Sequence, residues 1–323
     1  MKFIVCLRVS FVKLKAKFTT LRDVIEGLRD HSSRRNKKDS SFQNSMKLIT
    51  LKFTSPFKVS GAEKYIDAIT LYRAFINALS LLGESFDEIE EGKVKFSSTF
   101  PVKEGKLYLK IPFRTISCGD REVEKSMKGI EYVDADLFKK VKPPLVLECE
   151  GKEKYVRGAV GSERLDSSYF LTSHGKVVVE YKNRMDRMNN SADIYSISSF
   201  MPEHEMAFLA TTWDYKLDKA LKLLERTGLG KERNLGYGRF VVKSVKDYDL
   251  TVGGEYKYVT GRAYTEGEFL AENFDTAHML GGDVSLIILQ GYVLLPVGSL
   301  VKNTKRIYDE REGNVVIVDP ITL

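Results

Sequence analysis

Hydrophobic and polar positions alternate along Met46-Lys-Leu-Ile-Thr-Leu-Lys-Phe53, which predicts a strand. Apolar residues then return at helical spacing, at Tyr65, Ile69, Tyr72, Ile76 and Leu79, until Gly83 ends the run. The opposite face carries Ala68, Leu71, Phe75 and Leu82, so this helix packs around much of its circumference. Short strands are predicted at Val94–Phe96 and Leu107–Ile111, and a weak helix at Asp134–Val141. Another strand, Leu145–Cys149, follows Pro143-Pro144. The order β-α-β-β-α-β predicts a ferredoxin-like unit over residues 46–150.

A second such unit is predicted over 174–248. Val177–Tyr181 reads as a strand, and Ile194–Phe200 with Met206–Trp213 as an antiparallel pair around Pro202-Glu203. Leu217, Ala220, Leu221 and Leu224 give a short amphipathic helix, and Arg239–Val245 the strand after it. The polar stretch Asn183–Asp193 stands where the unit's first helix belongs. Residues 249–323 form a β-rich extension, with strands expected at Val284–Leu289, Tyr292–Val297 and Asn314–Val318.

Charge changes the picture at the N-terminus. The 323 residues hold 51 Lys+Arg and 44 Asp+Glu, a net of +7. Residues 1–45 hold 11 Lys/Arg against 4 Asp/Glu, which leaves 40 of each sign in 46–323. The body therefore carries no overall basic field, and any nucleic-acid contact must come from local patches. Two readings stand for residues 1–45: a basic arm that meets nucleic acid or a partner, or an upstream start with Met46 as the native one. Hydrophobic content of 43% supports a packed core. No apolar run reaches the length of an ordinary membrane-spanning helix. Cys6, Cys118 and Cys149 share no short spacing, which argues against a disulfide framework and a zinc site and fits a reducing compartment.

The most informative segment is Thr227-Gly-Leu-Gly-Lys-Glu-Arg-Asn-Leu-Gly-Tyr-Gly-Arg-Phe240. No Gly-Lys-Ser/Thr triplet closes it, so it is not a P-loop, and its helix-to-strand order excludes a dinucleotide fingerprint. Gly228, Gly230, Gly236 and Gly238 permit close approach of backbone N–H groups to a phosphate chain. Lys231, Arg233 and Arg239 add charge, Asn234 adds a polar side chain, and Tyr237 offers a face on which a base could stack. A tight turn that merely caps the helix explains the same glycines. A second basic run, Lys182, Arg184 and Arg187, offers guanidinium groups suited to phosphate, with Asp186 as a competing internal partner.

Together these features resemble the RAMP superfamily of CRISPR-associated RNA-binding proteins. Residues 46–245 more narrowly resemble the family of the fourth subunit of the Csm complex, the type III-A effector. The matching segments are Phe53-Thr-Ser-Pro-Phe57, Thr70-Leu-Tyr-Arg-Ala74, Phe100-Pro101, Leu107-Tyr-Leu-Lys-Ile-Pro112, Arg184-Met-Asp-Arg187 and then the glycine loop. The resemblance implies an α+β chain: two ferredoxin-like, RRM-like RAMP domains with a β-rich C-terminal extension. It implies a non-catalytic scaffold that holds the 5′ handle of CRISPR RNA and docks the large polymerase-like signature subunit, in antiviral defence in the cytoplasm. The repeated backbone RAMP subunit is a further partner, and no cofactor, metal or membrane is expected. The RNA contacts it implies are Arg184, Arg187 and the loop residues 228–239.

The rival reading is a metal-independent RAMP endoribonuclease that processes CRISPR RNA. It needs a general acid and base. The four histidines are His31, His174, His204 and His278, and none lies in the first helix. A metal-assisted nuclease would need a loop carboxylate such as Asp120 or Asp166. An interaction module without RNA is the third class.

Overall fold

The computed structural model describes residues 46–59, 63–186, 191–271, 292–311 and 314–323. Strand β1, Met46–Phe53, leads to helix α1, Ala68–Leu81, and on to β2, Phe100–Lys103. Residues 104–204 then hold β3 (Lys106–Lys110), β4 (Arg114–Ser117), β5 (Tyr132–Asp134), β6 (Leu145–Glu150), β7 (Glu153–Arg157), β8 (Ser162–Arg164), β9 (Phe170–Leu171), β10 (Gly175–Asp186) and β11 (Ser191–Pro202). Three short helices, α2 (Asp87–Glu90), α3 (Arg121–Lys128) and α4 (Leu137–Lys140), lie along the way. The chain returns through β12 (Glu205–Ala210), α5 (Tyr215–Thr227) and β13 (Phe240–Tyr248).

The main sheet has the order β13-β1-β12-β2-β3-β5-β9. β1 is antiparallel to both β12 and β13, and β12 is antiparallel to β2. So β1 and β2 run parallel with β12 between them, joined through α1. Likewise β12 and β13 run parallel with β1 between them, joined through α5. These two interlocked split β-α-β units make one ferredoxin-like core from residues 46–103 and 205–248.

This corrects the division into consecutive units over 46–150 and 174–248. The strand at 145–150 is not the fourth strand of the first unit; it pairs in parallel with β4 and antiparallel with β7, in a separate sheet β4-β6-β7-β8. Nor do 194–200 and 206–213 form a pair. β11 pairs with β10, and β12 lies between β1 and β2. The physical reason is burial. Met206, Ala207, Phe208, Leu209 and Ala210 are all inaccessible, so β12 needs neighbours on both edges and cover on both faces. Local alternation cannot reveal which distant strand supplies them. The polar stretch 183–193 replaces no helix: residues 183–186 and 191–193 are strand and extend a long hairpin.

Helices α1 and α5 pack together over the sheet. Between them an aromatic cluster fills the core: Phe75 stacks on Phe96 at 4.8 Å and meets Trp213 edge-on at 5.8 Å, and Phe96 meets Phe208 at 6.0 Å. Asp214 starts α5 by accepting a hydrogen bond from the Leu217 amide at 2.8 Å. Gly228, at φ +84°, ends it.

The tail contributes β14 (Lys257–Tyr258), β15 (Phe269–Leu270), β16 (Leu300–Val301), β17 (Ile307–Arg311) and β18 (Asn314–Val318). β18 packs on α1, and the Tyr72 hydroxyl donates to the Asp319 carbonyl at 2.7 Å. The buried Arg262 pairs with Glu63 at 2.5 Å and Asp67 at 3.4 Å. The strand at 314–318 falls where expected. Leu295, in the expected strand 292–297, forms only an isolated bridge to Ala263, and 284–289 lies outside the described residues. So do residues 1–45.

Cys118 and Cys149 form a disulfide, against the expectation of unpaired thiols. They are 31 residues apart in sequence, but the parallel register of β4 and β6 ends at Ser117 opposite Glu148. The next pair along is Cys118 and Cys149, with Cα atoms 5.1 Å apart.

Candidate nucleic-acid interface

The glycine loop joins α5 to β13 and lies against the turn that follows β1. The Lys231 amide donates to the Lys58 carbonyl and the Gly238 amide to the Pro56 carbonyl, both at 2.7 Å. The Ser55 hydroxyl donates to the Gly236 carbonyl at 2.8 Å and accepts from the Arg239 amide at 2.9 Å. Two segments about 180 residues apart thus form one surface, and Ser55, a turn residue without an assigned role in sequence, is its hinge pin.

The glycines do different jobs. A Cβ at Gly238 would lie 1.9 Å from the Leu229 carbonyl oxygen, and one at Gly230 2.5 Å from that of Lys58. At Gly228 the nearest carbonyl oxygens would be at 3.0 Å. These three serve the chain's own packing, as a tight turn requires. Gly236, at φ +90°, has nothing within 4 Å of the position a Cβ would take. Of the four it alone has open space beside its Cα, while its N–H donates to the Arg233 carbonyl at 3.1 Å and its C=O accepts from Ser55.

Around Gly236 stand exposed Lys231 and Asn234, half-buried Arg233 and half-exposed Leu235. Glu232, also in the left-handed region, pairs with Lys58 at 3.7 Å. The Arg239 guanidinium donates to the Arg226 carbonyl, which ties it to the end of α5 while it stays at the surface.

Tyr237 departs from its expected role. It is only 4% exposed, its hydroxyl donates to Glu180 Oε2 at 2.7 Å, and Lys182 Nζ lies 5.1 Å from its ring centre. A ring so enclosed cannot stack on a base. The Tyr237 hydroxyl, and then Lys182, hold the Glu180 carboxyl below its ordinary range, while burial and then Glu180 push the Tyr237 phenol up. The hairpin that meets Tyr237 carries exposed aromatic rings instead: Tyr181 is 78% and Tyr195 44% accessible, on opposite faces of the ribbon. Sequence reading passed over both, because an aromatic residue in a strand ordinarily signals core.

Arg184 lies within β10, opposite Asp193 in register, two residues beyond Lys182. Arg187 is outside the described residues. Lys182 therefore meets the loop at Tyr237, in the same short segment that carries Lys231, Arg233 and Asn234, and Arg184 lies further along the same strand.

The acid–base candidates have other duties. His174 is fully buried at the root of the hairpin, its Nε2 2.8 Å from the Lys64 carbonyl, and it meets Tyr132 edge-on at 4.7 Å. Burial pushes its pKa down to about 4, against the opposing pull of the Lys64 carbonyl. Asp120 caps α3 by accepting from the Glu122 and Val123 amides, and Asp166 pairs with Arg164 at 3.4 Å. His204 sits half-buried in the β11–β12 turn. His31 and His278 lie outside the described residues. Among the described residues no group of three or more His, Cys, Asp or Glu side chains could hold a metal ion. None of their helices is long and apolar enough to cross a membrane.

No family model and no curated protein matches the sequence. Solved structures do. A chain in the crystal structure of the Csm1–Csm4 cassette in complex with cA4 superposes with a TM-score of 0.54 at 17% identity, covering 86% of this chain and 96% of that one. Chains of the cassette with pppApA and with AMPPNP each give 0.51 at 16% identity, with the same coverage. The fold is that of a Csm1–Csm4 cassette chain. It is mixed α+β, rich in sheet and poor in helix. Each chain covers most of the other, so the matched Csm chain is close to this one in length. At this identity the likeness is one of fold, and the roles of individual side chains rest on the geometry above.

Proposed function

We propose that this chain is a non-catalytic, RNA-binding subunit of a type III CRISPR effector complex, holding the 5′ handle of CRISPR RNA and docking the large polymerase-like subunit. The observation that carries the reading is the open space beside Gly236, flanked by Lys231, Arg233 and Asn234 and set against a cation-bearing hairpin, on the fold of a Csm1–Csm4 cassette chain. An unpaired RNA strand needs close backbone approach, separated cations and a few aromatic faces. Here the close approach is at Gly236, the cations are Lys182, Lys231 and Arg233, with Arg184 further along β10 and Arg187 a candidate from sequence alone, and the aromatic face is Tyr195, opposite Lys182 in the hairpin register. The near-neutral body fits a protein that recognises one strand locally rather than coating duplex. The likeness in length to the matched chain favours the smaller member of such a cassette, with the large signature subunit and the repeated backbone RAMP subunit as partners, in the cytoplasm. The duties of His174, Asp120 and Asp166 in packing, capping and pairing support a scaffold over an endoribonuclease.

The test is a tagged pulldown from the native cell, with RNA sequencing and mass spectrometry on one eluate. Short RNAs sharing a 5′ handle, recovered with a large polymerase-like subunit, are expected. Unprocessed repeat RNA with the chain alone would replace the scaffold by the nuclease, and protein partners without RNA would replace it by an interaction module.

A further inference from the structure

Tyr237 is buried in the middle of a loop whose neighbours Asn234 and Leu235 are exposed. Its two partners, Glu180 and Lys182, are two residues apart on β10 and so share one face of that strand. The hairpin they belong to is a two-stranded sheet of its own, paired over twelve positions from Gly175–Pro202 to Asp186–Ser191. At its root, Phe57 and Phe200 exchange backbone hydrogen bonds at 2.9 and 2.8 Å. A two-stranded ribbon is marginal in water and twists readily, so its rotation is set by what its faces pack against: Phe200 at the root, and buried Ile197 and Ser199 on the face that carries Glu180. That rotation matters because the two faces differ. Positions 177, 179 and 181 hold Val, Val and Tyr at 58, 50 and 78% exposure, while positions 180 and 182 hold the charged pair that meets Tyr237.

We infer that Tyr237 is a positioning residue: its hydroxyl, bonded to Glu180, sets the rotation of the β10–β11 hairpin so that Lys182 faces the glycine loop and the row Val177, Val179, Tyr181 faces away. Loop and hairpin then form one cationic wall. The purpose of this wall rests on the RNA-binding reading, whereas the contact and its effect on the hairpin do not. Tyr237 acts through Lys182 and contributes no stacking surface of its own.

The experiment is hydrogen–deuterium exchange on the full RNA-free chain, followed by RNA binding across a salt series. Tyr237→Phe keeps the buried ring and its contact with Lys182 and removes only the hydroxyl. A hydrogen bond to a charged, partly exposed group is at the weak end of its class, so loss of it should speed exchange at residues 176–182 and 195–201 about tenfold. Exchange in β1 and β12 should not change. Glu180→Gln keeps an acceptor oxygen and should retain most of the protection. In RNA binding, Tyr237→Phe should lower the slope of log affinity against log salt by about one, the share of a single phosphate contact. Unchanged hairpin exchange in Tyr237→Phe overturns the inference, as does faster exchange spread equally over β1 and β12. A loosened hairpin with an unaltered salt slope overturns the orienting of Lys182. A loosened hairpin in a protein that binds no RNA leaves the positioning role standing and overturns the RNA-binding reading.

Discussion

Replacing each of the four loop glycines by alanine separates those that build the turn from the one that faces outward. At Gly238 the new Cβ would meet the Leu229 carbonyl oxygen at 1.9 Å, well inside contact distance, and the obstacle is backbone that cannot rotate away. The residue also sits at φ +72°, where an L side chain costs roughly 1–2 kcal/mol. Overpacking adds about 1–3 kcal/mol, so Gly238→Ala should cost about 2–5 kcal/mol in all. Gly230→Ala, with Lys58 oxygen at 2.5 Å and φ +96°, falls in the same range. Gly236→Ala meets nothing within 4 Å and incurs only the conformational cost, roughly 1–2 kcal/mol. The assay is urea denaturation, comparing extrapolated stabilities. Gly236→Asp, tolerated in the left-handed region better than most residues, should fold like Gly236→Ala yet lose RNA through added bulk and negative charge. Equal stability of the Gly238 and Gly236 variants would refute the division of labour. Undiminished RNA retention by folded Gly236→Asp would refute close approach of RNA at Gly236.

Three further outcomes are expected. His174 has a folded pKa of about 4 against roughly 6.5 unfolded, so the unfolded chain binds the extra proton between those values. Stability should be insensitive to this group above pH 6.5 and fall as pH drops from 6.5 to 4, by about 3 kcal/mol in total. His174→Gln should show a slope shallower by about 1.4 kcal/mol per pH unit over that window, and equal slopes would show that the imidazole does not titrate as described. Replacing Arg184 or Arg187 should lower the salt slope of RNA binding by about one; a slope like that of the unmutated chain would point to internal ion pairing instead. Cys118→Ser should cost about 3–4 kcal/mol of stability in oxidising buffer and little in reductant, and identical losses in both would mean the cross-link is not what stabilises β4 against β6.

Local pattern determined much of this protein. Helical periodicity found α1 and α5 to within a few residues, Gly83 marked where the first stops, and short apolar runs located β1, β3, β6, β13 and the strand at 314–318. The glycine loop was legible as a functional candidate because four glycines interleaved with cations are unusual in any turn. What sequence could not decide was which strands meet. Neighbours across a sheet are chosen by burying long-range apolar surface, and β12 reaches β1 across more than 150 residues, so consecutive units gave way to interlocked ones. The same non-locality joined Cys118 to Cys149 through a parallel register and put Ser55 under Gly236. Within the site it reversed one role outright. An aromatic residue beside glycines looks available for stacking, but whether a ring is free depends on what the fold packs against it, and Glu180 and Lys182 come from a hairpin some 55 residues away. Residue type sets what a side chain can do, and tertiary packing decides which of those capacities is left exposed.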